Sequence, residues 1–458
     1  MNADGKMRLG FLMNDHGVHP GAWLHPDVPR GHATDLGLLT AMAQTAERAK
    51  FDMLFRADTP AARTRDLDAW SRFPMFMNVL EPLTLLSALA GATTHLGLGA
   101  TATTSFTEPY NIARQFASLD QLSAGRAGWN VVTSANEYVA LNFGLDELPP
   151  HDERYERARE CVDLVCKLWD TWEDDAFIRD RTLGLTFDPA KQHAVKHSGK
   201  YFTLDGALNI QRSPQGHPVI IQAGQSEAGR ALAAETAEIV FASADTFAKA
   251  RAFSDDIRAS IARFGRDPAS LKFLPGLSVV VGSSRQEAED KYQALQDLTH
   301  ISVSLRFLAG DLETELADLP LDEPIPDSRI PKASNLHQKF FDEIVATIRR
   351  DQPTLRQLAT SYSRGRNTFR GTVTDIADMM EEWFRGGAAD GFMMSFQVLP
   401  MGLDDFAREV VPELQRRGLF RTEYTGTTLR DHLGLAHPVN RHVAVSAKAA
   451  ELRDALLF

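Results

Sequence analysis

The feature that most constrains the fold of this chain is a repeated alternation of short apolar runs with longer helical patterns. The runs show little internal polar/apolar alternation, which is typical of strands buried on both faces of a parallel sheet. A segment with helical periodicity follows each run, so the pattern predicts repeated βα units. The eight predicted strands are centred on Leu9, Met53, Leu98, Val131, Ile220, Val240, Val279 and Met393.

Eight parallel strands with helical partners predict an α/β fold of the (β/α)8 or TIM-barrel type. The chain has 458 residues, against ~250 for a typical barrel of this kind. We place the surplus in insertions near residues 180–215 and 284–372 and in a C-terminal extension from residue 420. The second insertion is polar and contains prolines, which favours a segment that covers the barrel mouth. We expect a single domain over residues 1–458.

Charge and hydropathy narrow the choice of partners. The chain has 49 Lys and Arg against 61 Asp and Glu, a net charge of −12, and no basic stripe. This balance disfavours nucleic acid and anionic membrane as partners. No apolar run reaches the ~18 residues of a membrane span, and the N-terminus lacks the pattern of a signal peptide. We therefore expect a cytoplasmic protein.

The two cysteines, Cys161 and Cys166, lie five positions apart in one helical stretch. This spacing places them on different faces of the helix, so we expect core thiols in preference to a disulfide.

The residues that follow the predicted strands are the candidates for chemistry, because reacting groups in a barrel lie at the C-terminal ends of its strands. After the first five strands these residues are mostly short polar side chains, with two histidines in the first loop. They are Asn14, His16, His19, Asp58, Thr101, Thr103, Thr104, Trp129, Asn130, Thr133, Ser134 and Ser226.

The turn GQSEAG after the fifth strand predicts an anion site. Its glycines allow a sharp bend into a helix whose free N–H groups attract an anion, and Ser226 adds a hydroxyl. Phosphate is the favoured ligand, and a plain helix cap is the alternative. A nucleophilic serine of the α/β-hydrolase kind needs G-x-S-x-G, and this turn is one residue longer.

A dinucleotide site is a weaker alternative. The segment HLGLGATA places Gly97, Gly99 and Ala102 in a G-x-G-x-x-A pattern, with Asp120 further along the chain. That motif requires a helix to open within the glycines. Here ATATTS prolongs a β-like run, which disfavours the dinucleotide interpretation.

The spacings of the histidines are weak evidence for a metal site. His16 with His19, and His193 with His197, could approach a metal, but no local carboxylate or cysteine completes either set. We therefore predict no metal site. His151 and Tyr155 are four residues apart and share one helix face beside a loop, where capping or packing would be their default role.

Several stretches in order along nearly the whole chain carry a resemblance to a known family. They are KFDMLFRAD, EPLTLLSALA, HLGLGATATTSFTEPYNIARQFASLDQLSAGRAGWNVVTS, HDERYERARE, RSPQGHPVIIQAGQSEAGR and GGAADGFMMS. Together they resemble the bacterial luciferase-like, flavin-dependent two-component monooxygenases. The branch is that of nitrilotriacetate monooxygenase, dibenzothiophene sulfone monooxygenase and the pristinamycin synthase flavoprotein.

The resemblance implies a (β/α)8 barrel, FMN supplied reduced by a separate NAD(P)H:flavin reductase, O2 as co-substrate, and a homodimer or homotetramer. It also implies site residues. Asp58 and Thr103 resemble contacts to the flavin ring, His151 and Tyr155 resemble contacts to the ribityl-phosphate side, and Ser226 resembles the phosphate ligand.

For catalysis, our hypothesis is that Thr103 and Asn130 position oxygen over the flavin ring from neighbouring strand ends. His16 or His19 is the candidate general acid/base, since imidazole titrates nearest neutral pH.

The substrate is inferred from the side chains near the first loop. Trp23, Trp70, Phe73 and Phe76 are aromatic, and Arg56 is the main cation at the strand ends. An unpaired buried carboxylate is strongly disfavoured, so we expect a hydrophobic, aromatic or organosulfur substrate. The alternatives are an aminopolycarboxylate of the nitrilotriacetate type, a hydrolase that uses Ser226, and a flavin- or coenzyme F420-binding relative without oxygenase activity.

Overall fold

A computed structural model describes residues 4–134, 136–333, 338–362 and 368–443. Their strands, in chain order, are β1 (Arg8–Leu12), β2 (Met53–Arg56), β3 (Gly97–Thr103), β4 (Ala127–Val132), β5 (Val195–Ser198), β6 (Thr203–Gly206), β7 (Val219–Gln222), β8 (Ile239–Val240), β9 (Lys272–Phe273), β10 (Gly276–Val281), β11 (Thr368–Gly371) and β12 (Gly391–Phe396).

Ten of these strands form one parallel sheet in the order β11-β10-β12-β1-β2-β3-β4-β7-β8-β9. Strands β9 and β10 are two halves of one pass across the sheet, separated by Leu274 and Pro275. Since β9 pairs with β8 while β10 pairs with β12, the sheet closes into a ring. Each of the eight predicted strand centres lies in a strand of this ring. The sequence predicted β9 and β10 as one strand and did not predict β11, which extends the sheet beside β10.

The helices lie between successive strands or in the insertions. They are α1 (Leu36–Arg48), α2 (Leu67–Arg72), α3 (Pro82–Ala90), α4 (Pro109–Leu122), α5 (Glu137–Asn142), α6 (His151–Trp169), α7 (Glu227–Thr236), α8 (Phe247–Arg263), α9 (Arg285–Asp297), α10 (Ile301–Leu312), α11 (Gln338–Asp351), α12 (Leu355–Ser361), α13 (Val373–Arg385), α14 (Met401–Asp405), α15 (Val411–Arg416) and α16 (Leu429–Leu433), with a π-helical segment at Phe406–Val410.

Helix α4 illustrates why these segments are helical. It opens with Pro109 at its first turn, where a missing N–H costs nothing. Ile112, Phe116 and Leu119 recur at intervals of three to four residues and are buried toward the sheet. On α6, Cys161 and Cys166 are free thiols, and burial raises the pKa of each to about 12.

Both predicted insertions contain secondary structure. The first includes the antiparallel hairpin of β5 and β6. The second includes the helical insertion, residues 301–362, whose helices α10 to α12 share a separate apolar core. This insertion reaches the barrel mouth through Phe307, which packs edge-on against Trp70 at 6.1 Å and Phe73 at 5.6 Å between ring centroids. An ion pair of 2.7 Å between Arg306 and Asp66 joins the same surfaces.

The C-terminal extension fills the lower half of the barrel. Leu429 and Leu433 of α16 are fully buried and pack with Ile221 inside the ring, at the N-terminal ends of the strands. Gly97 makes room for them, because a Cβ at this position would lie 2.5 Å from Leu429 Cδ1. We call α16 the plug.

The dinucleotide alternative finds no support in this geometry. Gly97 and Gly99 lie within β3, which continues as a strand to Thr103, so no helix opens in the motif. Asp120 is fully buried and accepts hydrogen bonds from Ala127 N at 2.8 Å and Gln215 Nε2 at 2.6 Å. The carboxylate thus holds a turn of the barrel.

A buried ion pair joins the extension to the base of the barrel. Asp52 is fully buried and accepts hydrogen bonds from Leu9 N at 2.7 Å and from the Arg421 guanidinium. Burial raises the pKa of Asp52, and Arg421 opposes that shift. Arg421 also donates to His432 O at 2.7 Å. The pair therefore connects β1, the start of β2 and the plug.

Replacing Arg421 should destabilise the whole barrel. Arg421→Met leaves the Asp52 carboxylate buried without its partner, which should lower the free energy of unfolding by about 3 to 5 kcal/mol. The matched control is Lys249→Met, which breaks the exposed ion pair of 2.8 Å with Asp245 and should cost under about 1 kcal/mol. Urea unfolding measures both. Equal losses in the two variants would contradict the assigned role of the buried pair.

Candidate active site

Three adjoining cavities open at the C-terminal ends of the strands, where barrel chemistry is expected. The central cavity has a volume of about 510 Å³, the side cavity about 290 Å³, and the loop cavity about 80 Å³. Ala223 lines both the central and the side cavity. His19 lines both the central and the loop cavity.

The side cavity is built from strand ends and the start of α6. Its wall includes Asp58, Tyr155, Gln222 and Gly224. Gln222 is 2% exposed, and its Nε2 has no hydrogen-bond partner among the described residues. A Cβ on Gly224 would lie 2.9 Å from the Cα of Gly229, so only bare backbone fits here. A bound group that offers acceptor atoms would satisfy the Gln222 amide.

Ser226 lies at the N-cap of α7, directly after this wall. Its hydroxyl accepts a hydrogen bond from Gly229 N at 3.2 Å, which is the predicted capping alternative. The helix terminus still carries free N–H groups, which suit a phosphate. In the described part of the chain, no hydrogen bond joins Ser226 to a histidine, so a nucleophile-base pair for a hydrolase is absent there.

Asp58 follows β2 and lines the side cavity. Burial raises the pKa of its carboxyl group to about 6, although the N–H of Thr59 and the charge of Arg56 act in the opposite direction. The side chain is therefore able to gain or lose a proton close to neutral pH.

Thr103 and Asn130 form hydrogen bonds between neighbouring strands. Thr103 Oγ1 accepts from Ser134 Oγ at 2.9 Å, and Asn130 Nδ2 donates to Thr101 Oγ1 at 2.9 Å. Asn130 is 4% exposed, and its Oδ1 has no partner within the described ranges. Of this group, Ser134 lines the side cavity, in a left-handed backbone conformation with φ of 48°.

The two histidines of the first loop differ in their environment. His19 is 3% exposed, and its Nδ1 accepts from Gly21 N at 3.0 Å. Burial lowers the pKa of His19 to about 4, which a hydrogen bond with Gln296 partly offsets. At neutral pH its Nε2 is therefore a fixed N–H donor. His16 lines the loop cavity beside Asp15, and this geometry leaves His16 as the acid/base candidate.

The first loop is bonded to the end of β12. His19 N donates to Gln397 O at 3.1 Å, and Leu399 N donates to His16 O at 2.7 Å. Between them, Gly17 has a φ of 118°, and a Cβ there would lie 2.4 Å from Gln397 O. Only glycine permits this close approach.

His151 and Tyr155 are brought together, with ring centroids 4.8 Å apart. Tyr155 lines the side cavity. His151 is exposed and pairs through Nδ1 with Asp152 Oδ1 at 2.9 Å. Tyr155 therefore lies at the cavity wall, whereas His151 contacts Tyr155 and is exposed to solvent.

The predicted aromatic wall is divided between two cavities. Phe73 lines the central and the loop cavity, while Trp23 and Phe76 line the loop cavity. Trp70 packs edge-on against Phe307. Arg56 is 3% exposed and is bound to Met13 O at 2.8 Å and Asp15 Oδ1 at 2.7 Å, so its charge is already paired.

The sequence prediction missed six polar residues of the central cavity that lie on or after strands. Four of them lie at or shortly after the C-terminal end of a strand, where extending the strand-end rule to the last three predicted strands would have found most of them. Ser278 instead lies in the middle of β10, and Thr368 begins β11. The six residues are Gln225, Ser243, Ser278, Thr368, Ser395 and Gln397. The described lining of this cavity contains no Asp, Glu, Lys or Arg.

The remaining histidine pairs serve the fold. His193 is hydrogen-bonded to Glu173 at 2.9 Å and His197 to Glu160 at 3.0 Å. In the ranges that the structure describes, no three His, Cys, Asp or Glu side chains form a metal-binding group. No helix in the same ranges is long and apolar enough to cross a membrane.

Comparison with known proteins decides the family. A family model described as luciferase-like monooxygenase matches residues 11–389. This chain belongs to that family. The family resemblance seen in the sequence is thereby confirmed. The predicted enzyme class, the oxygenase component of a flavin-dependent monooxygenase, is confirmed as well.

Similarity to relatives extends over nearly the whole chain. The chain is 46% identical to N-acetyl-S-(2-succino)cysteine monooxygenase of Bacillus subtilis, over 95% of this chain and 98% of the relative. It is 45% identical to nitrilotriacetate monooxygenase component A of Aminobacter aminovorans, over 96% and 99%. The crystal structure of DmoA from Hyphomicrobium sulfonivorans superposes with a TM-score of 0.83 at 34% identity, covering 93% of this chain and 92% of that one. The predicted (β/α)8 barrel is confirmed.

The raised pKa of Asp58 should make stability depend on pH. Because the folded state holds this proton up to about pH 6 and the unfolded chain releases it near the ordinary carboxyl pKa of about 4, stability should fall as pH rises between these values. Asp58→Asn should remove that decline. Urea unfolding of both proteins across this range measures it, and parallel stability curves would contradict the assignment.

Proposed function

We propose that this chain takes reduced FMN from a separate NAD(P)H:flavin reductase and uses O2 to oxygenate a small, uncharged, largely hydrophobic compound. Aromatic and organosulfur compounds are the expected classes. The observation that carries the proposal is the pairing of an uncharged central cavity with a side cavity whose wall suits a flavin.

The residues of the side cavity fit FMN. Gln222 offers an unpartnered buried N–H, Gly224 leaves bare backbone, and the N-terminus of α7 with Ser226 suits a phosphate. Tyr155 would contact the ribityl-phosphate side, and Asp58 would contact the ring from the end of β2. When bound in reduced form, the flavin supplies the electrons that activate oxygen.

The chain itself would exclude water and position the substrate. Phe55 and Phe241 pack edge to face at 4.9 Å on the wall of the central cavity. Phe307 of the helical insertion covers the same cavity. An apolar enclosure of this kind protects oxygen chemistry from side reactions with water. Thr103 and Asn130 would position oxygen from the neighbouring ends of β3 and β4.

The uncharged lining supports a neutral substrate. A carboxylate buried without a cation carries a large desolvation cost, and Arg56, the cation of the neighbouring loop cavity, is already paired with Asp15. The alternative is an aminopolycarboxylate substrate, which the 45% identity to nitrilotriacetate monooxygenase component A favours. A substrate panel that contains both classes separates the two.

Ser226→Ala should weaken FMN binding. The change removes a hydroxyl from the phosphate site and should cost roughly 1.5 to 3 kcal/mol, or about a tenfold to hundredfold rise in Kd. Thr246→Ala is the matched control, since Thr246 caps α8 through Lys249 N in the same way, and α8 contributes no residue to the side cavity whereas α7 contributes Leu232. Flavin-fluorescence titration measures both, and an unchanged Kd for Ser226→Ala would count against the site.

Turnover should require a second protein. NADH with oxidised FMN and this chain alone should give no product, because the glycine motif of β3 opens no helix that could hold a dinucleotide. Addition of a flavin reductase should start oxygen-dependent product formation from an aryl sulfone or a related neutral compound, measured by chromatography. Rapid NADH oxidation by the single chain would contradict the two-component proposal. Efficient oxidation of nitrilotriacetate, with inactivity toward neutral compounds, would contradict the proposed substrate class.

A further inference from the structure

We infer that Gln397 and Ser278 form a polar anchor that determines specificity, by binding one hydrogen-bond-accepting oxygen on an otherwise apolar substrate. The inference rests on the proposed function, since it assigns the substrate's orientation in the central cavity. The substrate class becomes neutral compounds with a sulfone, sulfoxide or carbonyl oxygen at one end.

The anchor is formed where β12 ends, beside the middle of β10 and the first residue of β11. Gln397 follows β12, is 4% exposed, and donates from Nε2 to Ser278 Oγ at 2.6 Å and to Thr368 Oγ1 at 2.9 Å. Ser278 and Thr368 are direct partners in the sheet, as are Ser278 and Ser395. The sheet register thus fixes the positions of these groups relative to one another.

The direction of these hydrogen bonds leaves a donor for a ligand. Since the Ser278 oxygen accepts from the Gln397 amide, its O–H proton remains available. No described residue accepts that proton, and Ser278 lines the central cavity. The Ser278 hydroxyl can therefore donate a hydrogen bond to a molecule bound in the central cavity.

The backbone of Gln397 is fixed as well as its side-chain amide. Gln397 O accepts from His19 N at 3.1 Å, and Gly17 lets the first loop pass against the same carbonyl. A side chain whose backbone and amide are both fixed loses little entropy when a ligand binds. Gln397 is thus preorganised for recognition.

Apolar side chains form a large part of the remaining wall of the central cavity, among them Phe55, Phe241, Phe307 and Met393. A ligand without an acceptor would desolvate the Ser278 hydroxyl and give it no partner, which discriminates more strongly than a lost apolar contact. The junction with the side cavity lies at Ala223, after β7 on another part of the ring. The substrate would therefore lie with its oxygen at the anchor and its apolar body toward the junction.

Equilibrium binding to the full chain tests the anchor without turnover. The probes are diphenyl sulfone and diphenylmethane, two molecules with the same rings that differ in the acceptor oxygens. We expect the wild type to bind the sulfone at least about tenfold more tightly, a difference typical of one well-placed hydrogen bond. Gln397→Met and Ser278→Ala should reduce this ratio to about twofold or less. Tryptophan-fluorescence titration provides the dissociation constants.

Ser304→Ala is the matched control, because Ser304 also lines the central cavity but lies on α10 of the helical insertion, and has no hydrogen bond to Gln397 or Ser278 among the described residues. It should leave the ratio of the two dissociation constants unchanged. Circular dichroism checks that each variant is folded, and Ser278→Ala decides the test if Gln397→Met does not fold.

Three results would overturn the anchor: no preference in the wild type, a preference that survives in the folded anchor variants, and no binding of either probe. A preference that follows the predicted pattern, without any product when reductase and oxygen are supplied, would support the anchor and contradict the proposed function instead.

Discussion

The ring of strands encloses a channel, and close packing requires that its lower half be filled with side chains. Here the chain fills it with its own C-terminal extension, through Leu429 and Leu433. Gly97 on the surrounding strand is small because these leucines need its space. With the base closed by this plug and by the Asp52–Arg421 pair, the upper strand ends can diverge around open cavities.

The barrel strands were predictable because burial on both faces leaves continuous apolar runs in the sequence. The plug was not, since α16 has five residues and its packing partners lie hundreds of positions earlier. The same long-range packing explains why the glycines of β3 imitate a dinucleotide motif. A local pattern shows that small residues are required, but the neighbour that requires them comes from the other end of the chain.

The candidate site was predictable in part, for a similar reason. The strand-end rule finds Asp58 and Ser134 at the wall of the side cavity. It also selects Thr103 and Asn130, whose polar atoms bond to neighbouring strands, and their role toward oxygen stays a prediction. Gln397 was missed because the rule was applied only to the first five strands. His19 looks like a titrating group until Gly21 N occupies its Nδ1.

The helical insertion has its own apolar core and contacts the barrel mouth through Val303, Arg306 and Phe307. We expect substitutions inside that core to shift Phe307 at the wall of the central cavity without moving the residues of the side cavity. Evolution can therefore explore new substrates by drift at positions that touch neither substrate nor cofactor. Relatives with the same barrel and the same cavity-lining residues can therefore differ in substrate preference, because the core of the helical insertion differs.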